Sequence, residues 1–157
     1  MPQNRQDFSG LSLEKYHRSL SIICYALVAG LTIFTAYFHF FMMKDIAQAP
    51  DLSSTLMIAG LVFFVVGLSI AFLLIPKRMQ LLKELPGKGE KLKGHQQNTV
   101  IRFAAIEGPS LFSLVGYFLT ANSLFLIGVG MGILILIALR PTREKILAET
   151  GMYESDF

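Results

Sequence analysis

The sequence predicts an all-α integral membrane protein with four transmembrane helices. Two observations carry this prediction: the chain contains four long apolar runs, and its basic residues gather in the segments between and beyond them. The 157 residues are 53% hydrophobic and only 16% charged, and the mean hydropathy is +0.54. Soluble domains carry about 25% charged residues. We therefore expect one domain, residues 1–157, formed by a four-helix transmembrane bundle.

The four apolar runs set the expected positions of the helices. They cover about 19–43, 53–75, 100–120 and 123–139. A helix of about 20 residues crosses a hydrocarbon core of about 30 Å. The first three runs fit this length, whereas the fourth, at roughly 17 residues, is short. Isolated strands are excluded because their unpaired backbone groups are too costly in lipid.

The distribution of lysine and arginine predicts the orientation. Basic residues occur in the tails 1–18 and 140–157 and in the connection 77–99, whereas the opposite side has only Lys44. The positive-inside rule places both termini and a basic loop at 77–99 in the cytoplasm. This pattern predicts a multi-pass protein of the inner (plasma) membrane. The loop is either only this topology signal or also a contact for anionic lipid headgroups.

An internal repeat relates the first and third apolar runs. The stretch from Ile23, ICYALVAGLTIFTAYFHF, aligns with the stretch from Ile101, IRFAAIEGPSLFSLVGYF. Small residues pair at a spacing of four, which lets membrane helices approach closely. The small residues expected at helix contacts are Ala26, Gly30, Ala104, Gly108, Gly128 and Gly132. The repeat indicates either a duplicated two-helix hairpin or chance similarity between two apolar helices.

Glu107 is an acidic residue inside the third apolar run, where a charged side chain is not expected. It lies roughly 10–13 Å from the cytoplasmic end of the third run, and it aligns with Ala29 in the repeat. An ionisable group at that depth should be protonated, paired or facing water. Pro109 would free the carbonyl one turn before it. Glu107, this loosened backbone and the hydroxyl of Ser110 form a candidate ligand set for a proton or cation.

Arg102 is the other ionisable residue of this run and a possible charge partner. About 140° of helix separates it from Glu107, so an ideal helix does not pair the two. Arg102 either extends to lipid phosphates or reaches a carboxylate on a neighbouring helix or subunit. His17 and His95 lie in the expected cytoplasmic segments and are assigned no role. The single cysteine, Cys24, excludes an internal disulfide framework, and neither a metal site nor a cofactor is predicted.

The string RFAAIEGPSLFSLVGYFLTAN, from Arg102 to Asn122, resembles the ion-binding helix of rotary ATPase proteolipid subunits. The resemblance implies that Glu107 is an ion-binding glutamate in one copy of a duplicated hairpin. It covers about 20 residues. Family members carry the carboxylate on the second helix of a hairpin, whereas Glu107 is on the first, so we do not assign the chain to this family. Overall, the chain also resembles small four-span bacterial membrane proteins of unassigned function.

Enzyme motifs are not found in the sequence: it has no His-Glu-x-x-His and no nucleophile elbow. We therefore expect a non-enzymatic accessory or assembly subunit of a membrane complex. The alternative is an ion- or proton-coupled transport element that acts as an oligomer around Glu107. The expected partners are the lipid bilayer and either further copies of the chain or other membrane subunits, and no nucleic acid.

Overall fold

A computed structural model of the chain describes residues 12–42 and 50–156. All regular structure in these two ranges is helical. The α-helices are α1 (Leu13–Tyr37), α2 (Ser53–Ser69), α3 (Ile75–Leu82), α4 (Lys88–Thr120), α5 (Leu124–Ala138) and α6 (Arg143–Thr150). A π-helical segment, Phe38–Met42, extends α1, and another, Ile70–Leu74, joins α2 to α3. The prediction of an all-α fold is confirmed.

Three helical stretches are long and apolar enough to cross a membrane. They are Leu13–Phe41, Ser53–Leu82 and Lys88–Thr120. The 15-residue α5 reaches such a length only together with α6, from which it is bent by 77°. The helices cover the four predicted runs, although α1 begins at Leu13 rather than near 19. The predicted tail residues 1–11 and the segment 43–49, with Lys44, lie outside the described residues.

Local capping explains where several helices begin and end. The Ser12 hydroxyl accepts a hydrogen bond from the backbone N–H of Lys15 at the start of α1, and Thr142 does the same for α6. These bonds satisfy amides that have no partner inside the helix. Ala121 ends α4 with φ at 54°, and Gly151 ends α6 with φ at 64°. Both residues take the left-handed conformation that commonly terminates helices.

The helix α4 is the centre of the bundle. It packs most extensively against α5, which follows it after a short turn, and next against α2. The first helix packs on α5 and α4, and it makes little or no contact with α2. The two halves of the chain therefore do not form equivalent hairpins, because α1 and α2 lack the mutual packing seen between α4 and α5. Any duplication at the level of sequence is not repeated in the packing.

Close helix approach occurs at glycines of α2 and α5. A Cβ at Gly132 would overlap the hydroxyl of Ser110, and a Cβ at Gly128 would lie 2.6 Å from the hydroxyl of Ser113. Both serines belong to α4. A Cβ at Gly67 of α2 would overlap the carbonyl oxygen of Ala105. These glycines allow the helices to pack at backbone distance.

The small residues of the α1/α4 repeat pack differently from the sequence-based expectation. Ala26 and Ala104 are exposed, and a Cβ at Gly30 would meet no atom within 4 Å. Only Gly108 faces another helix, with a ring carbon of Phe63 at 3.8 Å from a Cβ built there. The expectation that all six small residues lie between helices is therefore wrong for Ala26, Gly30 and Ala104, which face the outside of the bundle.

The segment 77–99, predicted as a basic loop, is largely helical. The α3 helix continues to Leu82 and α4 begins at Lys88, so only a short turn separates them. Apolar residues explain the difference, because Met79, Leu82 and Leu92 are buried. The predicted tail 140–157 contains α6, which packs on the ends of α1, α3 and α4. We call this end of the bundle, formed by 13–20, 75–99 and 140–156, the basic end.

The basic end has its own apolar core. It consists of Leu13, Tyr16, Leu20, Leu92, Ile146 and Met152. These residues come from α1, α4 and the C-terminal segment. The core packs α6 against the bundle, and Tyr16 and Leu92 connect it to the polar cluster described below.

Candidate functional site

Glu107 lies at the edge of the buried face of α4. Phe103, four residues earlier, is buried, whereas Leu111, four residues later, is exposed. The Glu107 side chain is half-buried. Within 12–42 and 50–156 it forms no hydrogen bond and no ion pair with another side chain. The carboxyl group is therefore without a partner in the described part of the chain.

Ser110 does not join Glu107 in a ligand set. Its hydroxyl donates a hydrogen bond to the carbonyl oxygen of Ile106 at 2.8 Å. The side chain is completely buried and lies against Gly132 of α5. Ser110 thus serves the contact between α4 and α5.

The backbone near Pro109 also faces away from Glu107. The helix continues through Pro109 as one element. Because proline has no N–H, the carbonyl of Ala105 lacks its usual helical donor. That carbonyl faces Gly67 of α2. Ala105 and Glu107 are two residues apart, about 200° around the helix, so they lie on opposite sides of α4. The predicted ligand set of carboxyl, carbonyl and hydroxyl is not brought together.

Arg102 pairs with a carboxylate on a neighbouring helix, and not with Glu107. Its Nη1 lies 3.2 Å from Oε1 of Glu149 in α6. The guanidinium also lies over the ring of Phe72, at 5.8 Å from the ring centroid. Of the two sequence-based alternatives for Arg102, the structure shows the bond to a neighbouring helix.

A buried polar cluster at the basic end links three helices through His95. The Nδ1 of His95 lies 2.9 Å from the hydroxyl of Tyr16 in α1, and its Nε2 lies 2.9 Å from Oε2 of Glu149 in α6. The Tyr16 hydroxyl also donates to the carbonyl oxygen of Leu92 at 2.9 Å. His95 is only 1% exposed. With Arg102, these residues form what we call the His95 cluster.

The charge of the His95 cluster is set by Glu149. Burial raises the pKa of the Glu149 carboxyl, but the hydrogen bond and charge of His95 and the adjacent Arg102 guanidinium together outweigh burial. The net effect holds the pKa of Glu149 below its usual range. Glu149 is therefore an anion at neutral pH, with its two oxygens held by different donors.

The His95 cluster was missed from the sequence. The sequence predicts no role for His95, because this residue falls in a lysine-rich segment that is expected to be a cytoplasmic loop. A usable signal was present, since Leu92, His95 and Thr99 recur at helical spacing and are all buried. Nothing in the sequence indicated Tyr16 or Glu149 as its partners, since these lie 79 and 54 residues away along the chain.

At the other end of the bundle, His39 forms a smaller polar contact. Its Nδ1 lies 2.7 Å from the hydroxyl of Tyr117, and the two rings are stacked. No group of three or more metal-ligating side chains occurs among the described residues. The His39 pair therefore reads as a contact between α4 and the segment that extends α1.

The chain was compared with known proteins. No protein-family model, no curated protein and no solved structure matches it.

Proposed function

We propose that the chain is a multi-pass protein of the inner (plasma) membrane with four crossings and both termini in the cytoplasm. Three helices of sufficient length and the apolar α5 support four crossings. The end of α3, the start of α4 and the helix α6 lie together at the basic end, where lysine and arginine are concentrated. A basic flank of this kind favours the cytoplasmic side.

Within that membrane, the proposed role is that of a non-enzymatic accessory or assembly subunit. The carrying observation is Glu107, a half-buried carboxyl at the depth of the apolar run with no partner in the described chain. A carboxyl facing lipid is costly, so such groups are usually paired or shielded from it. A helix of another subunit, or of a second copy, supplies the missing hydrogen bond.

The surface around Glu107 suits such a helix. Phe118, eleven residues after Glu107 and therefore on the same side of α4, packs against Phe38 of the segment that extends α1, with 4.9 Å between the ring centroids. Glu107 therefore lies on the side of α4 that turns toward α1. The outward-facing small residues of this part of the bundle are Ala26, Gly30 and Ala104. Small residues allow another backbone to approach closely.

Photo-cross-linking tests the proposed docking side. A photoreactive amino acid at Leu111 should capture a partner chain in membranes, whereas one at Leu134 on the exposed side of α5 should not. Both leucines are exposed, at 38% and 68%. Capture at both positions, or at neither, would contradict a specific docking side near Glu107.

Substitution of Glu107 tests the role of the carboxyl in docking. Glu107→Gln retains hydrogen-bonding ability and should keep the cross-link at Leu111. Glu107→Leu removes it and should abolish the cross-link while the protein still inserts and remains monodisperse. An undiminished cross-link in Glu107→Leu would remove Glu107 from the interface.

The second candidate is an ion- or proton-coupled transport element. Its supporting observation is the same lack of a fixed partner, which leaves the Glu107 carboxyl available to exchange a proton. The two roles differ in their response to glutamine, which cannot exchange one. If the protein catalyses proton-coupled flux in proteoliposomes, and Glu107→Gln abolishes the flux without loss of assembly, then transport is the function and docking is not.

A further inference from the structure

One side of α4 carries exposed or half-buried residues at alternating spacings of three and four. It faces away from α5, because Ser113 lies against Gly128 of α5 and is about two and a half helical turns from Ala104. This side is open between α1 and α2, which make little or no contact with each other. We call it the α4 seam, and its residues are Gln97, Val100, Ala104, Glu107 and Leu111. Residues at this spacing are those by which two helices meet in a coiled coil.

A second copy of the chain presents the same seam at the same depth in the membrane. Copies with this distribution of basic residues insert in one orientation, so their α4 helices run parallel. When a two-fold axis relates two parallel helices, identical residues of the seam lie opposite one another. Glu107 then faces Glu107, and Ala104, one turn before it, allows the two backbones to approach closely.

Two carboxyl groups at the same depth satisfy each other without a further polar group. A protonated carboxyl both donates and accepts hydrogen bonds, so one proton is enough to join the pair. The neighbours of Glu107 on the seam, Ala104 and Leu111, have no polar side-chain atoms. A different partner would need its own polar group at this depth, where such groups are costly and rare. A single polar residue in an apolar seam also fixes the register and the number of helices.

We propose that the chain forms a parallel homodimer through the α4 seam, in which Glu107 of one copy is hydrogen-bonded to Glu107 of the other. This proposal rests on the docking role proposed above for Glu107 and adds the identity of the partner. The same patch serves both copies, so the interface closes at two chains and leaves no further seam open. The dimer thereby shields both carboxyl groups from lipid.

Self-cross-linking of single cysteines tests the α4 seam. In a Cys24→Ala background, Val100→Cys, Ala104→Cys and Leu111→Cys should form disulfide-linked dimers in membranes treated with iodine, an oxidant that enters lipid. Ile101→Cys should not, because it lies 100° further around the helix. It is a matched control, since Val100 and Ile101 are exposed to 41% and 42%. Equal dimer yields at positions 100 and 101 would overturn the proposed seam.

Association of purified chains tests the two central residues of the seam. Energy transfer between copies that carry different fluorophores measures the dimer association constant in detergent micelles. Ala104→Leu, which separates the two backbones, and Glu107→Leu, which removes the hydrogen bond, should each lower this constant at least about tenfold. Glu107→Gln should retain it, because two amides also donate to and accept from each other. Ala138→Leu, at an exposed position of α5, should associate as the parent chain does.

The outcomes distinguish the homodimer from docking in general. If the photoreactive residue at Leu111 captures a different protein and the seam cysteines form no dimers, the docking role stands and the homodimer is wrong. If the photoreactive residue captures nothing and no dimers form, both proposals are wrong. Capture of a second copy, together with dimers at positions 104 and 111, supports both. An association constant that Ala104→Leu and Glu107→Leu leave unchanged would refute the homodimer through this seam.

Discussion

Gly67 of α2 lies directly against the carbonyl oxygen of Ala105, the one carbonyl that Pro109 deprives of its helical N–H donor. A Cβ at position 67 would overlap that oxygen and would lie 3.0 Å from Cγ of Pro109. The two helices pack closely here because Gly67 has no side chain and because the Ala105 carbonyl has no helical N–H donor. A Cα–H group facing a free carbonyl is a weak hydrogen-bond donor, so the glycine partly satisfies what proline leaves open.

Gly67→Ala should destabilise the protein by about 1–3 kcal/mol, because the added methyl group forces α2 and α4 apart. Gly30→Ala is the matched control, since a Cβ there meets no atom within 4 Å. In the isolated chain, this control should be neutral or should stabilise by up to about 1 kcal/mol through helix propensity. Thermal unfolding in detergent measures both. Equal stability of the two variants would contradict the close contact at Gly67.

Ala121→Gly should stabilise the protein by about 1 kcal/mol. Ala121 has φ at 54°, a conformation that is unfavourable for a residue with a Cβ and that glycine adopts readily. The control is Ala104→Gly, an exposed position inside α4, which should lose about 1 kcal/mol. Denaturation of both variants under the same conditions provides the comparison. A loss of stability in Ala121→Gly would show that the left-handed turn after α4 is not maintained.

Acidification should release α6 through Glu149. Because the pKa of Glu149 is lower in the folded state than its usual value of 4.5, the unfolded state binds the proton more readily. The stabilisation is thus fully present above pH 4.5 and is lost as the pH falls through the lower, folded-state value. The distance between spin labels at the exposed positions Gln80 in α3 and Ala148 in α6, in a Cys24→Ala background, should show this loss as the pH decreases. In Glu149→Gln this acid-dependent component should disappear, whereas Glu144→Gln should retain it; a Glu149→Gln protein that keeps it would refute the assignment.

Cysteine labelling should show the proposed orientation. Asp51 and Glu84 are exposed and lie at opposite ends of the bundle. In a Cys24→Ala background, a membrane-impermeant reagent added to intact cells should label Asp51→Cys and not Glu84→Cys. After permeabilisation both should react, which controls for accessibility. Labelling of position 84 in intact cells would place the basic end outside.

The helical class and the positions of the apolar runs were predictable because hydropathy is a property of the chain itself. The end of α4 at Thr120 and the limits of α5 agree closely with the predicted runs. The helical structure of the basic connection is not evident from hydropathy, because its lysines mask an apolar side. Between Arg78 and Lys93, the buried Met79, Leu82 and Leu92 keep helical packing among charged neighbours.

The site was less predictable because it depends on which helices meet. Glu107 was recognised from its chemistry alone, but the directions of Ser110 and of the Ala105 carbonyl follow from the positions of α5 and α2. Similarly, Arg102 could be paired with Glu149 only once α6 was known to fold back on the bundle. Small residues in α1 and α4 predicted close contact, yet only their neighbours determine whether a small residue faces a helix or an open side.

The shortness of α5 has a consequence for the surrounding lipid. The fifteen residues of α5 rise about 22 Å, some 8 Å less than the thickness of a typical hydrocarbon core. The charged ammonium group of Lys145 lies at the carbonyl end of this helix. Beside α5, whose Ile127 and Leu134 face outward, an inserted protein would meet hydrophobic mismatch. The bilayer would become thinner on this flank and remain thicker beside the longer α2. Such an asymmetric deformation would favour thin membrane regions and association with other membrane proteins that also thin the bilayer at the contact.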